Sequence, residues 1–207
     1  MIKISNLKKS LKKQIIFEKV NINFCKGKIY GLTGINGSGK SIFLKTICGF
    51  LVPDEGNVIV DDIDIFKNNQ FIPNTRVLID KPSFIDDLTG FENLKLLAEI
   101  QNIIDDQVIR DWIRKLNLDE NKKYKEYSLG MKQKLAIIQT IMENQKIIIL
   151  DEPFNGLDKK SHQQMINILK EIKKDKIIII ASHIEKDINE LCDEVYEIEE
   201  GCIKKVA

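Results

Sequence analysis

A glycine-rich segment at residues 34–41 constrains the fold of this chain more than any other stretch. Its sequence, GINGSGKS, fits the pattern GxxxxGK[ST] at every fixed position. An apolar run at residues 29–32 predicts a strand before it, and the residues from Ile42 onwards predict a helix after it. A glycine-rich turn that binds nothing is the alternative, but the flanking strand and helix favour a phosphate-binding loop.

The residue types in this segment suit a nucleoside triphosphate. Its glycines allow dihedrals and close approaches that a Cβ atom would block, so backbone N–H groups can turn inward towards phosphates. Lys40, at the predicted start of the helix, can reach the β- and γ-phosphates, and the Ser41 hydroxyl can bind Mg²⁺. The predicted phosphate-binding residues are Gly34, Ile35, Asn36, Gly37, Ser38, Gly39, Lys40 and Ser41.

Predicted strands and helices alternate along most of the chain, which implies an α/β fold with a mostly parallel sheet covered on both faces. Short apolar runs near residues 58–65 predict a small antiparallel sheet beside this core. Helical spacing of apolar residues predicts an inserted group of helices at residues 85–145, with Thr89 as a cap and Trp112 packed in the core. The predicted fold is therefore a P-loop nucleotide-hydrolase core with a flanking antiparallel β subdomain and an inserted α-helical subdomain.

The balance of charges argues against nucleic acid as a partner. The sequence has 32 Lys and Arg residues against 31 Asp and Glu residues, so its net charge of +1 creates no field that would attract DNA or RNA. The lysines within residues 8–13 form a local basic run that we expect to be solvated surface. The longest apolar runs, at residues 147–150 and 177–181, are far too short to cross a membrane, so a membrane role would need a partner.

Two acids follow the apolar run at residues 147–150. Asp151 can hold the Mg²⁺ that Ser41 also contacts, and Glu152 can take a proton from an attacking water molecule. Acids at strand ends are often only helix caps, and for this pair taken alone that alternative stays open.

The order of the remaining motifs strengthens the hydrolytic interpretation. The segment YSLGMKQK at residues 127–134 precedes the acidic pair, NGLD at residues 155–158 follows it, and His183 ends the next predicted strand. With its motifs in this order, the sequence resembles from end to end the nucleotide-binding subunit of an ATP-binding cassette (ABC) transporter. The resemblance implies ATP and Mg²⁺ as ligands. It also implies one domain over residues 1–207, with the core and β subdomain at 1–84 and 146–207 and the helical signature subdomain at 85–145.

The resemblance implies a role for each motif of the hydrolytic site. Residues 34–41 match the Walker A motif, and Asp151 ends the segment that matches Walker B. Glu152 matches the catalytic glutamate, and His183 matches the switch histidine that could donate to the γ-phosphate. Lys40, Glu152 and His183 are therefore the expected catalytic residues.

Other motifs are expected to act across a dimer. In the family two such domains enclose two ATP molecules, so the signature of one domain faces the Walker A loop of the other. Residues 127–131 match that signature, in which Ser128 and Gly130 are expected to contact the nucleotide. Asn155 and Asp158, in the segment matching the D-loop, are expected at the dimer or coupling interface.

Four positions depart from the family pattern. Leu129 and Met131 stand where the signature usually has glycine and glutamine. Asp80 occupies the position of a glutamine that the family uses at Mg²⁺ and at the joint to the membrane partner, so we expect Asp80 to bind the metal and to take part in coupling. The adenine-stacking aromatic of the family falls at about Leu11, which predicts an aliphatic contact with the base.

Asp80, the signature and the segment at residues 88–94 together resemble one branch of the family, the bacterial exporters of peptide antibiotics, bacteriocins and drugs. The implied partners are an integral membrane permease and a second ABC subunit, either another copy of this chain or a paralogue. Through the permease, the chain is expected at the cytoplasmic face of the cell membrane. The alternative is a soluble ABC ATPase that acts on ribosomes or nucleic acid, which the balanced charge disfavours.

Overall fold

The computed structural model describes residues 1–80 and 83–207 of the chain. Its strands are β1 (Ile2–Leu11), β2 (Gln14–Phe24), β3 (Lys28–Thr33), β4 (Glu55–Val60), β5 (Ile63–Asp64), β6 (Thr75–Leu78), β7 (Ile147–Asp151), β8 (Ile177–Ala181), β9 (Glu194–Glu199) and β10 (Cys202–Lys205). Its α-helices are α1 (Lys40–Ile47), α2 (Gly90–Gln101), α3 (Asp106–Lys115), α4 (Leu129–Ile141), α5 (Lys159–Ile172) and α6 (Glu185–Leu191).

The larger sheet has the strand order β10-β9-β3-β8-β7-β6. Each neighbouring pair from β9 to β6 is parallel, and β10 joins the edge as the antiparallel partner of β9. In β7 and β8 the apolar runs are buried on both faces, as a parallel sheet between two layers requires. The predicted α/β fold with a mostly parallel sheet is confirmed.

Alternate side chains of the central strands face two different layers. Ile148 and Ile178 pack in a core that includes residues of α4, α5 and α6. Ile149 and Ile179, one position further along, pack in a second core with α1 and the smaller sheet. The period-2 alternation of a strand therefore assigns each isoleucine to one of two cores.

The smaller sheet is antiparallel, with the order β2-β1-β4-β5, and it packs on the helix that follows the glycine-rich loop. Phe17 of β2 meets Phe43 of α1 edge to face, with ring centroids 5.6 Å apart. The predicted flanking β subdomain is therefore present, and its strand β1 runs as far as Leu11. Two lysines of the basic run form ion pairs, Lys8 with Glu55 and Lys9 with Asp54.

Three helices form the predicted insertion between β6 and β7. Thr89 caps α2 with a complete capping box, in which Glu92 bonds back to the Thr89 backbone. Trp112 of α3 is half-buried against the core, as predicted. The helices α2, α3 and α4 share one hydrophobic core with β7 and β8. The division of the domain into a core and a helical subdomain at residues 85–145 stays a prediction.

The apolar residues near 76–79 predict a strand there, and the structure shows it as β6, one residue earlier at each end. The sequence also predicts that this strand ends in a turn that includes Lys81 and Pro82, which lie outside the described residues. Among the helices of the described ranges, none combines the length and the apolar character needed to cross a membrane.

Candidate nucleotide-binding site

The glycine-rich loop joins the end of β3 to the start of α1. Gly34 and Gly39 have φ angles of 143° and 106°, which side-chain-bearing residues rarely adopt. A Cβ atom on Gly34 would lie 2.6 Å from the Ile198 carbonyl oxygen, and one on Gly39 would lie 2.6 Å from Ile16 Cγ2. Both glycines are therefore required by conformation and by space.

Lys40 is buried at the first position of α1, and its ammonium group lies over the loop. Lys40 Nζ donates hydrogen bonds to the carbonyl oxygens of Gly34, at 2.6 Å, and Ile35, at 3.2 Å. A buried ammonium needs such acceptors, and phosphate oxygens are stronger ones. The loop thus holds a positive charge beside the free N–H groups of a helix start, which is the arrangement that binds phosphate.

Asp151 and Ser41 meet at the carboxyl end of β7. The Ser41 hydroxyl donates to Asp151 Oδ2, while Oδ1 is buried and has no hydrogen-bond partner among the described residues. Burial raises the pKa of the Asp151 carboxyl above its ordinary value, and the charge of Glu152 raises it further, whereas the Ser41 bond lowers it.

This pair of residues suits Mg²⁺. The ion takes oxygen ligands, and in nucleotide sites one or two protein groups suffice because the phosphates and water supply the others. The partnerless Oδ1 of Asp151 and the adjacent Ser41 oxygen are ligands of the right kind. Within residues 1–80 and 83–207 no cluster of three or more metal-binding side chains occurs, so a nucleotide would have to complete the set.

Glu152 has an unusual backbone conformation and a carboxylate held by the neighbouring strand end. Its φ angle is 48°, and its N–H donates to the Ala181 carbonyl oxygen at 2.8 Å. Its carboxylate accepts from the His183 N–H at 3.0 Å and lies 2.8 Å from His183 Nδ1. The Ser182 hydroxyl donates to the second oxygen at 3.3 Å. The structure therefore brings Glu152 and His183 together, and their contact fixes the orientation of the carboxylate.

The register of the sheet explains why these groups meet. Asp151 of β7 pairs with Ala181 of β8, and Ala181 pairs in turn with Leu32 of β3. The glycine-rich loop, the acidic pair and the segment ending in His183 therefore leave three adjacent parallel strands at the same edge of the sheet. Ligands of open α/β sheets bind at this edge.

A cleft of about 850 Å³ opens over this edge and reaches across to α4. Among the residues that line it are Lys40, Ser41, Asp80, Asp151, Glu152 and Asn155, with Leu129, Lys132 and Gln133 on the helical side. Leu11, Ser128 and His183 are not among its lining residues. The cleft can therefore hold a phosphate chain and a metal ion, and Ser128 lies outside its lining.

The signature segment and the D-loop segment pack against each other. Ser128 caps α4, and its hydroxyl accepts a hydrogen bond from the Met131 N–H at 3.3 Å. A Cβ atom on Gly130 would lie 2.8 Å from the Gly156 carbonyl oxygen, so glycine at 130 is needed for close contact. The Leu129 side chain also lies against Gly156 and is 70% exposed.

The two predicted interface residues of the D-loop segment have different positions. Asn155 lines the cleft. Asp158 caps α5, where its carboxylate accepts from the Ser161 N–H at 3.0 Å and from the Ser161 hydroxyl at 2.8 Å. Asp158 therefore has a local structural role in addition to the predicted one at an interface.

Asp80 lies on the cleft wall, but its carboxylate bonds to a residue that the sequence analysis did not consider. Asp80 Oδ2 is 2.6 Å from Lys45 Nζ of α1, and the Asp80 side chain is 65% exposed. The structure therefore places Asp80 in the same cleft as Asp151 without joining it to the Ser41–Asp151 pair.

Leu11 is the last residue of β1 and is 38% exposed beside the hairpin turn. The aliphatic side chain that reaches the glycine-rich loop is Ile16 of β2. Leu11, which is predicted to contact adenine, therefore lies outside the lining of the cleft, and Ile16 is the residue that lies against Gly39.

Gln133 is a second residue to which the sequence analysis gave no role. Its side-chain amide donates to the carbonyl oxygens of Pro153, at 2.8 Å, and Glu152, at 3.4 Å. Gln133 stands between Lys132 and Lys134, so no signal in the local sequence sets it apart.

A phosphate-binding loop with a buried lysine, a serine–aspartate pair suited to Mg²⁺ and an oriented glutamate together define a phosphate-loop nucleoside triphosphatase. The comparisons with known proteins give the family. The family model described as ABC transporter matches residues 17–155. The chain belongs to the ABC transporter family, as an ATP-binding subunit.

Two curated relatives match almost the whole chain. An uncharacterized ABC transporter ATP-binding protein, YybJ of Bacillus subtilis (strain 168), is 38% identical over 204 residues, covering 97% of this chain and 94% of that protein. The lantibiotic transport ATP-binding protein SrtF of Streptococcus pyogenes is 33% identical over 206 residues, covering 98% of this chain and 89% of that protein.

A solved structure confirms the fold. A dimeric ATP-binding cassette in a post-hydrolysis state, bound to ADP and Pi, superposes with a TM-score of 0.85 at 22% identity. The match covers 100% of this chain and 99% of that one.

Proposed function

We propose that this ATP-binding subunit hydrolyses ATP and thereby powers a membrane permease that exports a peptide antibiotic, a bacteriocin or a drug. Lys40 and the loop N–H groups bind the β- and γ-phosphates, and Ser41 and Asp151 hold Mg²⁺, which neutralises phosphate charge when bound. Glu152 accepts a proton from the attacking water, and His183 keeps the carboxylate aimed at it. The observation that best supports hydrolysis is the contact between Glu152 and His183 at the edge of the cleft.

The working unit in this proposal is a dimer with a second ABC subunit, either another copy of this chain or a paralogue. Ser128 is exposed and lies outside the lining of its own cleft. The start of α4 nevertheless has the free N–H groups and the dipole end that attract a phosphate. We assign Ser128 and Gly130 to the ATP bound by the other subunit, so that each nucleotide is enclosed by both chains.

A peptide antibiotic as the substrate is supported by the lantibiotic transport protein, which matches 98% of this chain. Export as the direction of transport rests on the resemblance of the sequence to the exporter branch. The permease partner places the subunit at the cytoplasmic face of the cell membrane. The net charge of +1 and the pairing of Lys8 and Lys9 with acids disfavour a ribosome or nucleic acid as the partner.

The experiment that tests the transport role is copurification from native membranes through a tag on this chain. We expect an integral membrane protein to copurify, and we expect the ATPase activity of the complex to exceed that of the chain alone. Recovery with ribosomal particles or RNA, in an association that weakens steeply with salt, would contradict this proposal.

The shared-site dimer predicts that a negative charge at the start of α4 prevents closure. Ser128→Asp keeps an oxygen that can cap α4, but its carboxylate would face the γ-phosphate of the partner's ATP. In a Glu152→Gln background, light scattering should detect a doubled mass with MgATP for Ser128 and no increase for Ser128→Asp.

Ser128→Thr is the matched control, because threonine also caps a helix and adds no charge. It should dimerise as the parent does. Equal dimerisation of the Asp and Thr variants would refute the assignment of Ser128 to the shared site.

A further inference from the structure

Gln133 links the signature helix to the backbone of the proposed general base. Its amide donates to the Pro153 carbonyl oxygen at 2.8 Å and to the Glu152 carbonyl oxygen at 3.4 Å. These two carbonyls belong to the segment that begins with Glu152 itself. Gln133 therefore contacts the chain that carries the catalytic carboxylate, and it does so through the main chain.

The Glu152 backbone needs such support. A residue with a side chain rarely adopts a φ angle of 48°, so neighbouring contacts must hold this conformation. The Glu152 N–H is fixed by Ala181, and its carboxylate is fixed by Ser182 and His183. All of these contacts come from the end of β8. Of the described side chains that bond to this segment, Gln133 is the one that belongs to α4.

One rigid helix joins Gln133 to the predicted shared site. Ser128 caps the start of α4, and Gln133 lies five residues further, about 7.5 Å along the axis at 1.5 Å per residue. An α-helix this short does not compress, so a displacement of its first turn is transmitted to Gln133. The Gln133 amide then pulls on, or releases, the Glu152–Pro153 peptide.

We propose that Gln133 is a positioning residue that couples the two nucleotide sites of the dimer. ATP held by the partner engages the start of α4 at Ser128, and Gln133 transfers this engagement to Glu152, which acts on the ATP bound by its own chain. This inference rests on the proposed function, because it needs the shared-site dimer. It assigns to Gln133 the role of making hydrolysis at one site depend on occupancy of the other.

The contact between Gly130 and Gly156 supports the same coupling. The Gly130 Cα lies so close to the Gly156 carbonyl that an added Cβ would be 2.8 Å away. The first turn of α4 therefore bears directly on the loop that follows Glu152, and Gln133 bears on the peptide immediately after Glu152. Both ends of this five-residue segment are held by the same helix.

The test is Gln133→Met, which keeps the length of the side chain and its helix propensity and removes the donor. We expect kcat of the purified chain to fall about tenfold while KM for ATP changes less than about twofold. We also expect the Hill coefficient for ATP to fall from above one to about one. The MgATP-induced dimer in a Glu152→Gln background should form as before.

Three further variants separate positioning from general damage to α4. Gln139→Met makes the same exchange on the same helix at a half-buried position, and it should leave kcat and the Hill coefficient unchanged. Gln133→Lys supplies a donor again and should recover most of kcat, whereas Gln133→Glu places a carboxylate against two carbonyl oxygens and should not.

The outcomes distinguish this inference from the proposed function. A normal MgATP dimer with unchanged kcat and Hill coefficient in Gln133→Met would overturn the inference alone. Equal losses in Gln133→Met and Gln139→Met would reduce Gln133 to a structural residue and also overturn it. A wild-type chain that hydrolyses ATP without dimerising would overturn the shared-site dimer of the proposed function, and the coupling between sites with it.

Discussion

Glu152→Gln should hydrolyse ATP about a thousandfold more slowly than the wild type while binding ATP with nearly the same affinity. The amide keeps the size of the carboxylate and can still accept from the His183 N–H at the position of Oε1, so the segment keeps its conformation. It cannot take a proton from water, and general bases contribute about 10²–10⁴-fold to rate. Because hydrolysis is what would release the dimer, the ATP-bound dimer should accumulate.

Single-turnover hydrolysis and ATP binding by calorimetry measure the two effects separately. Glu99→Gln, the same exchange at an exposed position of α2, should behave as the wild type. Lys40→Ala should give the opposite pattern, because it removes the charge that the loop holds over the phosphates and so weakens binding first. Turnover of Glu152→Gln within about threefold of the wild type would exclude Glu152 as the base.

Asp151→Asn should make the nucleotide-free protein more stable and the enzyme nearly inactive. The neutral amide still accepts from the Ser41 hydroxyl, and it removes a buried charge whose pKa is raised mainly by burial. We expect Tm to rise by about 2–4 °C, which corresponds to about 1 kcal/mol for a chain of this size. Loss of the anionic Mg²⁺ ligand should reduce kcat/KM with MgATP by about a hundredfold or more.

Differential scanning fluorimetry with and without MgATP tests both halves of this prediction. The wild type should gain several degrees with MgATP, and Asp151→Asn should gain little, although it starts from a higher Tm. Asp86→Asn, an exposed aspartate, is the matched control and should change neither value. If the nucleotide-free Asp151→Asn protein is less stable than the wild type, the buried charge of Asp151, with its partnerless Oδ1, does not destabilise the fold.

The central part of the site could be predicted from the sequence because local patterns determine it. The glycines of the loop are required by backbone geometry within a few residues, and Asp151 and His183 follow apolar runs that can only be buried parallel strands. Once the strands are parallel and adjacent, their carboxyl ends meet at one edge, and residues far apart in the chain become neighbours. The confirmed fold class rests on the same alternation of strands and helices.

The contacts that the sequence did not reveal join side chains from separate elements. Lys45 with Asp80 and Gln133 with Pro153 depend on how α1 and α4 are rotated against the sheet. Such rotations are set by the packing of the two cores, which no local pattern encodes. Ile16 illustrates the same limit, because the register and bulges of the β1–β2 hairpin bring it against Gly39.

The packing of Leu129 and Gly130 on Gly156 restricts the substitutions that these three positions can accept. Leu129 fills the space beside a residue that has no side chain, and Gly130 in turn leaves room for the carbonyl of that same residue. The three positions share a fixed volume, so a larger residue at 156 would require a smaller one at 129 and cannot be offset at 130. The signature of this chain can therefore carry leucine at position 129 only while position 156 of the D-loop segment stays glycine.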